Sequence, residues 1–148
     1  MKVAARFVLF VIVSGATSAY AQTPEAAGLV KVTSGSAVIV RGGVERPAQI
    51  GLPLYATDHI KTGADGRLGL TLRDDTRVSL GPNSELRLDH FEFAPAAGRF
   101  GLVLKFVRGV AAYVSGRIAK LSPDAVRLET PAAIVGVRGT TLGIRVTD

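Results

Sequence analysis

Residues 60–89 read IKTGADGRLGLTLRDDTRVSLGPNSELRLD, a stretch in which apolar and polar residues alternate. The apolar side chains fall on even-numbered positions: Ile60, Leu68, Leu70, Leu72, Val78, Leu80, Leu86 and Leu88. Because successive side chains of a β-strand point to opposite faces of its sheet, this period predicts strands with one apolar and one charged face. Turn signals at 63–66, 74–75 and 81–83 divide the stretch, so we expect a β-meander.

The composition fits one small domain with an aliphatic core. The chain has 148 residues, of which 47% are hydrophobic but only 6% aromatic, with no tryptophan. The 17 glycines and 7 prolines favour short strands joined by tight turns, and no long window has the spacing of an amphipathic helix. There is no cysteine, which excludes disulfides, thiolate metal ligands and lipid attachment through an N-terminal cysteine.

Further strands are expected on both sides of this stretch. A turn at 34–36 separates two apolar runs, and Gly42-Gly43 predicts a tight hairpin. Residues 91–100 break the alternation and predict an exposed loop. Later apolar runs predict strands at 102–106, 110–114, 126–128, 134–137 and 142–146.

These short strands predict an all-β fold, a single domain of antiparallel strands arranged as a β-sandwich or roll. The positions of Leu70, Val78 and Leu86 form a quasi-repeat of eight residues, which keeps β-helix-like coiling open as the alternative. Residues 117–121 fit either one turn of helix or a strand.

The first 21 residues have the order of parts of an export signal. Lys2 and Arg6 precede the apolar run 7–13, and residues 19–21 form an A-x-A cleavage site. We therefore predict cleavage after Ala21. The alternative is an uncleaved signal anchor, but the apolar run is short for that role, since a membrane span needs about 20 apolar residues.

This boundary gives the expected domain organisation. A signal peptide over 1–21 is followed by a flexible lead-in over 22–27 and an all-β domain over 28–148. The mature product is expected to have no stable membrane span and to reside in the periplasm or outside the cell.

The charge does not favour a nucleic-acid partner. The formal net charge is +6, and loss of Lys2 and Arg6 would leave 16 basic and 12 acidic residues, or +4. The basic residues are scattered singly, without the basic cluster and interleaved aromatics of a nucleic-acid surface.

The motifs of common catalytic sites are also missing from the sequence. It has no G-x-S-x-G element and no nucleophilic cysteine, and its glycines do not form a phosphate-binding loop. We therefore expect no enzyme activity, with a site assembled from distant polar residues as the alternative.

Neither a metal nor another cofactor is expected. Asp58, Asp65, Asp74 and Asp75 lack the alternating carboxylates and closing glutamate of a calcium loop, and aspartate is common in hairpin turns. A site built on His59 and His90 is the alternative, but two histidines fall short of the three protein ligands usual for catalytic zinc.

Two segments of the chain resemble FecR domains: Thr62–Asp89 and Leu128–Ile144. The second carries a T-P…G-V-R-G-T signature at Thr130, Pro131, Gly136, Val137, Arg138, Gly139 and Thr140. Residues 35–43 and 107–116 also fit. The resemblance implies an extracytoplasmic all-β module, which in the best-known members belongs to a transmembrane regulator relaying a signal from an outer-membrane receptor to a sigma factor during iron uptake. Only residues 1–6 precede the apolar run here, so we expect the module without the relay.

The signature residues Thr130, Pro131, Gly136, Arg138, Gly139 and Thr140 are candidates for partner binding or for maintaining the fold. The Arg138 guanidinium could bind a partner carboxylate or, held between turn glycines, satisfy backbone carbonyls. Thr130-Pro131 reads as a strand break. A second candidate surface is the polar face with Arg67, Arg73, Arg77 and Arg87, whose alternative is a solvated face with weak cross-strand ion pairs.

The expected function is that of an exported, non-catalytic binding or scaffold module that contacts an envelope protein or a glycan. The alternative is an envelope signal-sensing partner in a sigma-factor relay of the iron-uptake type, acting through a separately encoded membrane protein.

Overall fold

The computed structural model describes residues 19–138 and 141–147, and this part of the chain is nearly all β. The strands are β1 (Gly28–Ser34), β2 (Ala37–Arg41), β3 (Val44–Pro47), β4 (Pro53–Leu54), β5 (His59–Thr62), β6 (Arg67–Leu72), β7 (Arg77–Leu80), β8 (Glu85–Ala94), β9 (Arg99–Val114), β10 (Val126–Glu129), β11 (Ile134–Gly136) and β12 (Thr141–Val146). One short helix, α1 (Arg117–Leu121), and two 3₁₀ turns, Pro95–Ala97 and Pro123–Ala125, complete the described elements.

The strands form a curled, mostly antiparallel sheet, a half-barrel with two layers, which confirms the predicted fold class. Layer 1 has the order β4-β1-β6-β7-β9-β12, and layer 2 has the order β3-β2-β5-β8-β9-β10-β11. The long strand β9 belongs to both layers. Within the described residues, only the pairing of β10 with β9 is parallel.

Residues 59–94 form one bent hairpin, not the expected meander. β6 pairs with β7, and β5 pairs with β8, placing Ile60 opposite Leu86. The turn at 74–75 joins the two arms, whereas the turns at 63–66 and 81–84 are corners where each arm passes from one layer to the other. The meander prediction was wrong because Gly-rich turn signals mark a change of chain direction without indicating whether the chain reverses or bends.

The predicted alternation itself is confirmed. The eight even-numbered apolar residues of 60–89 are buried, and none is more than 3% exposed. They face one aliphatic core together with side chains from the other strands and α1, including Ile39, Leu102, Leu104, Phe106, Tyr113, Ile118 and Leu128. Full burial of such side chains contributes about 1.5–3 kcal/mol each, so this core is the main source of stability.

The corner of β9 lies at Gly109, whose φ is 90°. A Cβ atom there would collide with Ser84 and Asn83, so the position requires glycine for both conformation and space. The Ser84 hydroxyl accepts a hydrogen bond from the Val110 N–H at 2.9 Å and lies 3.0 Å from the Val110 carbonyl. The buried Thr62 hydroxyl in turn accepts the Ser84 N–H at 2.9 Å, which fastens the corners to one another.

The expected exposed loop at 91–100 is a β-hairpin instead. β8 continues to Ala94, and β9 starts at Arg99 after the 3₁₀ turn. A bulge between Leu88 and His90 shifts the strand by one residue, so the inward positions become odd-numbered, as at Phe93. The loop prediction was wrong because this shift reads in the sequence as a break in the alternation.

Two smaller expectations also have clear outcomes. The Gly42-Gly43 hairpin is confirmed, with Arg41 opposite Val44 and positive φ at both glycines. The ambiguous segment 117–121 is the helix α1. Ala27, at the end of the expected lead-in, is buried and hydrogen-bonds to Leu54.

Candidate functional site

The predicted polar face is divided between the two layers. Arg67 and Arg77 start β6 and β7 in layer 1, and Arg73 follows β6 at the hairpin turn. Arg87 lies in β8, in layer 2. The corners at 63–66 and 81–84 therefore separate residues that a straight meander would have placed on one surface.

Two of these arginines have partners within the chain. The Arg73 guanidinium lies 2.7 Å from a Glu25 carboxylate oxygen and 5.3 Å from the centre of the Phe91 ring. Arg87 lies 3.1 Å from an Asp89 oxygen. Such exposed pairs stabilise a fold by at most about 1 kcal/mol, in line with the solvated alternative for these two residues.

Arg77 instead belongs to a surface hollow that the sequence did not reveal, whose charged lining consists of three basic residues and the acidic Asp75. Arg77 lines this hollow, of about 350 Å³, together with Arg117 and Lys120 of α1. Arg117 also stacks at 5.0 Å on Phe93. Arg77 and Arg117 are far apart in the sequence, so no local pattern could have indicated their proximity.

The Thr130-Pro131 pair lies where β10 ends and the chain reverses into β11. The Thr130 N–H donates to the Ala133 carbonyl at 2.8 Å, and the Thr130 hydroxyl accepts the Ala133 N–H at 3.1 Å. The hydroxyl therefore closes a short turn, and the proline occupies an exposed position within it.

Two of the remaining signature residues, Gly136 and Arg138, lie on an exposed surface together with Arg127 and Ile134, which are not part of the signature. These four residues are here called the signature face. Arg127 lies opposite Gly136 on the outer side of the β10–β11 pair. A hollow of about 400 Å³ is lined by these side chains and by Asp124. Gly139 and Thr140 lie outside the described residues.

Arg138 is exposed, and its guanidinium makes no hydrogen bond with the residues that the structure describes. Next to it, Ile134 is 68% exposed, unusual for a large apolar side chain. An exposed arginine whose donors have no partner among the described residues, beside an exposed aliphatic side chain, is a suitable contact point for another molecule.

The C-terminal end also contains an inner groove between β11 and β12. Leu142 and Ile144 of β12 are half-buried on its inward side, and Leu128 and Val135 lie across from them. The hollow between the strands has a volume of about 260 Å³, and Arg145 is the charged residue in its lining. The alternation of 142–146 predicts which side of β12 faces inward but does not indicate that this side is incompletely covered.

Asp58 is fully buried and forms an ion pair with Arg41. Both oxygens of Asp58 accept hydrogen bonds from the Arg41 guanidinium, at 2.7 Å each, and the Tyr55 N–H donates to one of them at 2.8 Å. This hydrogen bonding raises the pKa of Arg41. The pair joins β2 to the loop before β5, and its role is structural.

Asp74 lies in the hairpin turn where it was expected, and it has a second role. Its carboxylate accepts hydrogen bonds from the Thr76 hydroxyl at 2.7 Å and from the Ile118 N–H at 3.2 Å. Its carbonyl accepts the Arg117 N–H at 2.6 Å. Gly116, at the N-cap of α1, has no side chain to do this, so the hairpin turn caps the helix from a distance.

The histidines do not converge on one another. His59 lies 2.5 Å from a Glu85 oxygen, and Arg108 lies 3.2 Å from the other oxygen of that carboxylate. His90 lies near Glu92. Among the described residues, no three His, Asp or Glu side chains are grouped in a way that could hold a metal ion.

The fold and this site define the class of protein as a small all-β domain with an exposed arginine-containing face. A family model described as FecR protein matches residues 58–148, which is more than half of the sequence, and the chain belongs to this family. FecR proteins form a regulatory and signalling family associated with the cell envelope. No curated protein and no solved structure matches the chain.

The family match covers β5 to β12, including the signature face and the inner groove. The resemblance of residues 35–43, which precede the matched range, stays a prediction. Within residues 19–138 and 141–147, no helix is long and apolar enough to cross a membrane.

Proposed function

We propose that the protein is a non-catalytic binding or scaffold module of the cell envelope. It is exported by residues 1–21 and contacts another envelope protein through the signature face. The observation that carries this proposal is the exposed Arg138 beside the exposed Ile134, within the segment matched by the family model.

The chemistry of this face supports a protein partner with a carboxylate next to an aliphatic or aromatic side chain. Arg138 offers the planar donor fork that binds carboxylates in a bidentate manner. Burial of Ile134 would remove a large apolar surface from water, which is favourable. A glycan is the second partner class, for which the hydroxyl-binding capacity of Arg127 and Arg138 is the supporting feature.

The experiment is a capture from envelope extract with the immobilised exported chain, followed by identification of the retained protein and measurement of its affinity in purified form. Arg138→Ala is expected to weaken binding by roughly tenfold or more, since a central interface arginine contributes upwards of about 1.4 kcal/mol. Arg46→Ala is the matched control, because it removes an exposed arginine on β3, at the opposite end of layer 2 from the signature face. Equal binding by both variants, or no retained protein, would refute the proposal.

A second candidate function is a signal-sensing partner in a sigma-factor relay of the iron-uptake type. The regulatory and signalling character of the family favours it. Deletion of the gene should then change transcription of a sigma-dependent set of genes under iron limitation, and the Arg138→Ala allele should reproduce that change. An unaltered transcriptome in the deletion strain would remove this candidate.

A further inference from the structure

The four outermost strands of the described sheet differ in how open their edges are. β3 contains Glu45, Arg46 and Pro47, and charges and proline on an edge strand oppose pairing with another chain. β4 has two residues and β11 has three, which is too short for a stable ladder. β12 has six residues, contains no proline and, among the strands that the structure describes, pairs with β9 alone. Of the four edge strands, β12 is the longest, and it has a single charged residue, Arg145.

Layer 1 is also one strand shorter than layer 2 at this end. Beyond β9, layer 2 continues with β10 and β11, whereas layer 1 continues with β12 alone. Val135 of β11 points into the inner groove and is 40% exposed. A further strand beside β12 would therefore extend layer 1 to the width of layer 2 and cover the apolar side chains that line the groove.

We propose that this strand is β12 of a second copy of the chain, paired antiparallel across a two-fold axis at Ile144. Residues directly opposite in an antiparallel pair point to the same face, so only registers that match inward with inward positions are possible. With Ile144 on the axis, it lies opposite its own copy, and Leu142 lies opposite Val146. The pair then has a continuous apolar inner face.

The same register also keeps the Arg145 side chains of the two copies from lying directly opposite each other. Arg145 lies opposite Gly143, so the two arginines of the dimer do not face one another. Moving the axis to Arg145 would place like charges directly opposite, which is destabilising. Moving it to Gly143 would leave two inward apolar pairs in place of three among the described residues. The sequence of β12 is therefore self-complementary about Ile144, as an isologous interface requires.

This dimer does not depend on the proposed envelope partner. The signature face lies on the outer side of the β10–β11 pair, whereas the dimer would use the edge and inner side of β12. The purified exported chain alone suffices for the test, so its result says nothing about whether a partner binds Arg138.

The absence of native cysteine allows a clean test by disulfide trapping. Ile144→Cys should form a disulfide-linked dimer under mild oxidation, roughly tenfold faster than Gly143→Cys, because only directly opposite residues have Cα atoms within disulfide range. Gly143 has open space around its position, so the comparison variant fits the fold. Ser79→Cys, exposed on β7, reports the rate of random collisions.

Light scattering over a range of protein concentrations gives the oligomeric state independently. The unmodified chain should form a concentration-dependent dimer, and Ile144→Lys should be monomeric, since an inward-pointing lysine blocks edge pairing. If Ile144→Lys does not fold, the crosslinking rates of the three cysteine variants still test whether the dimer forms through β12. A chain that stays monomeric at high concentration, or a crosslink that forms as fast at Gly143 or Ser79 as at Ile144, would overturn the proposal.

Discussion

The bent hairpin of residues 59–94 and the C-terminal strand β12 share the same alternation of apolar and polar residues, yet their inward side chains are buried to different extents. In the hairpin, the even-numbered apolar side chains of residues 60–89 are almost completely buried because the opposite layer covers them. In β12, Leu142 and Ile144 are only half-buried, since layer 1 stops one strand short of layer 2. Alternation thus determines which side of a strand turns inward, and the width of the opposite layer determines whether that side is covered.

The largest expected difference between the two regions is the loss of stability when a leucine is replaced by alanine and leaves a cavity. Leu86→Ala in the hairpin should lower the free energy of unfolding by about 2–5 kcal/mol, the range for a fully buried leucine. Leu142→Ala should cost about 1 kcal/mol, because the side chain already contacts solvent and the site can collapse. Urea denaturation of both variants checks this, and equal losses would contradict the difference in burial.

The buried pair Asp58–Arg41 and the exposed pair Asp89–Arg87 offer a second comparison. Asp58→Ala should cost about 2–3 kcal/mol, somewhat below the loss on breaking a fully buried pair, because Arg41 is 27% exposed and can reach water. Asp89→Ala should cost less than about 1 kcal/mol. The measurement is chemical denaturation at low and high salt, and a salt-sensitive Asp58 contribution as small as that of Asp89 would contradict the burial argument.

Alanine substitutions at two glycines, Gly109 in the β9 corner and Gly143 in β12, compare how tightly the two regions are packed. Gly109→Ala should destabilise the fold by about 1–3 kcal/mol, because φ is 90° and the methyl group would collide with Ser84. Gly143→Ala should be neutral or stabilising by up to about 1 kcal/mol, since nothing lies near its position and alanine restricts the unfolded chain. Thermal unfolding of the two variants side by side measures the difference. A larger loss of stability from Gly143→Ala than from Gly109→Ala would contradict the position of the β9 corner at Gly109.

The smallest effect is expected at alkaline pH. Burial raises the pKa of Tyr113 above its ordinary value of 10.0. The unfolded state therefore releases this proton first, and stability that is fully present below pH 10 should decline as the pH rises above that value. Tyr113→Phe should reduce the slope of stability against pH in this window. The measurement is urea denaturation at several pH values between neutral and alkaline, and an unchanged slope in the variant would rule out a Tyr113 contribution.

The sequence predicted the features of the fold that depend on local periodicity. It identified the inward residues of the hairpin, the Gly42-Gly43 turn and the FecR-like segments. It could not distinguish the reversal at 74–75 from the corners at 63–66 and 81–84, because both use the same small and polar residues. Residues 91–100 were predicted to be a loop because the bulge beside Leu88 interrupts the alternation in the sequence.

The candidate surfaces were harder to predict because they depend on contacts between distant segments. Whether Arg138 was free or enclosed depended on how β10 and β11 lie on the sheet. Arg67 and Arg87 share a parity in the sequence, but a corner between their strands places them on different layers. The capping of α1 by Asp74 joins residues 44 positions apart, and no short-range pattern contains that information.

Hydrogen exchange measured at several protein concentrations tests the contrast between the closed hairpin and the open edge most directly. The amides of β6, β7 and the first half of β8 should be strongly protected at every concentration, whereas protection in residues 141–146 should rise with concentration as the free edge of β12 pairs with a second copy. Protection of β12 that equals that of the hairpin at the lowest concentration, or that does not change with concentration, would contradict the open edge.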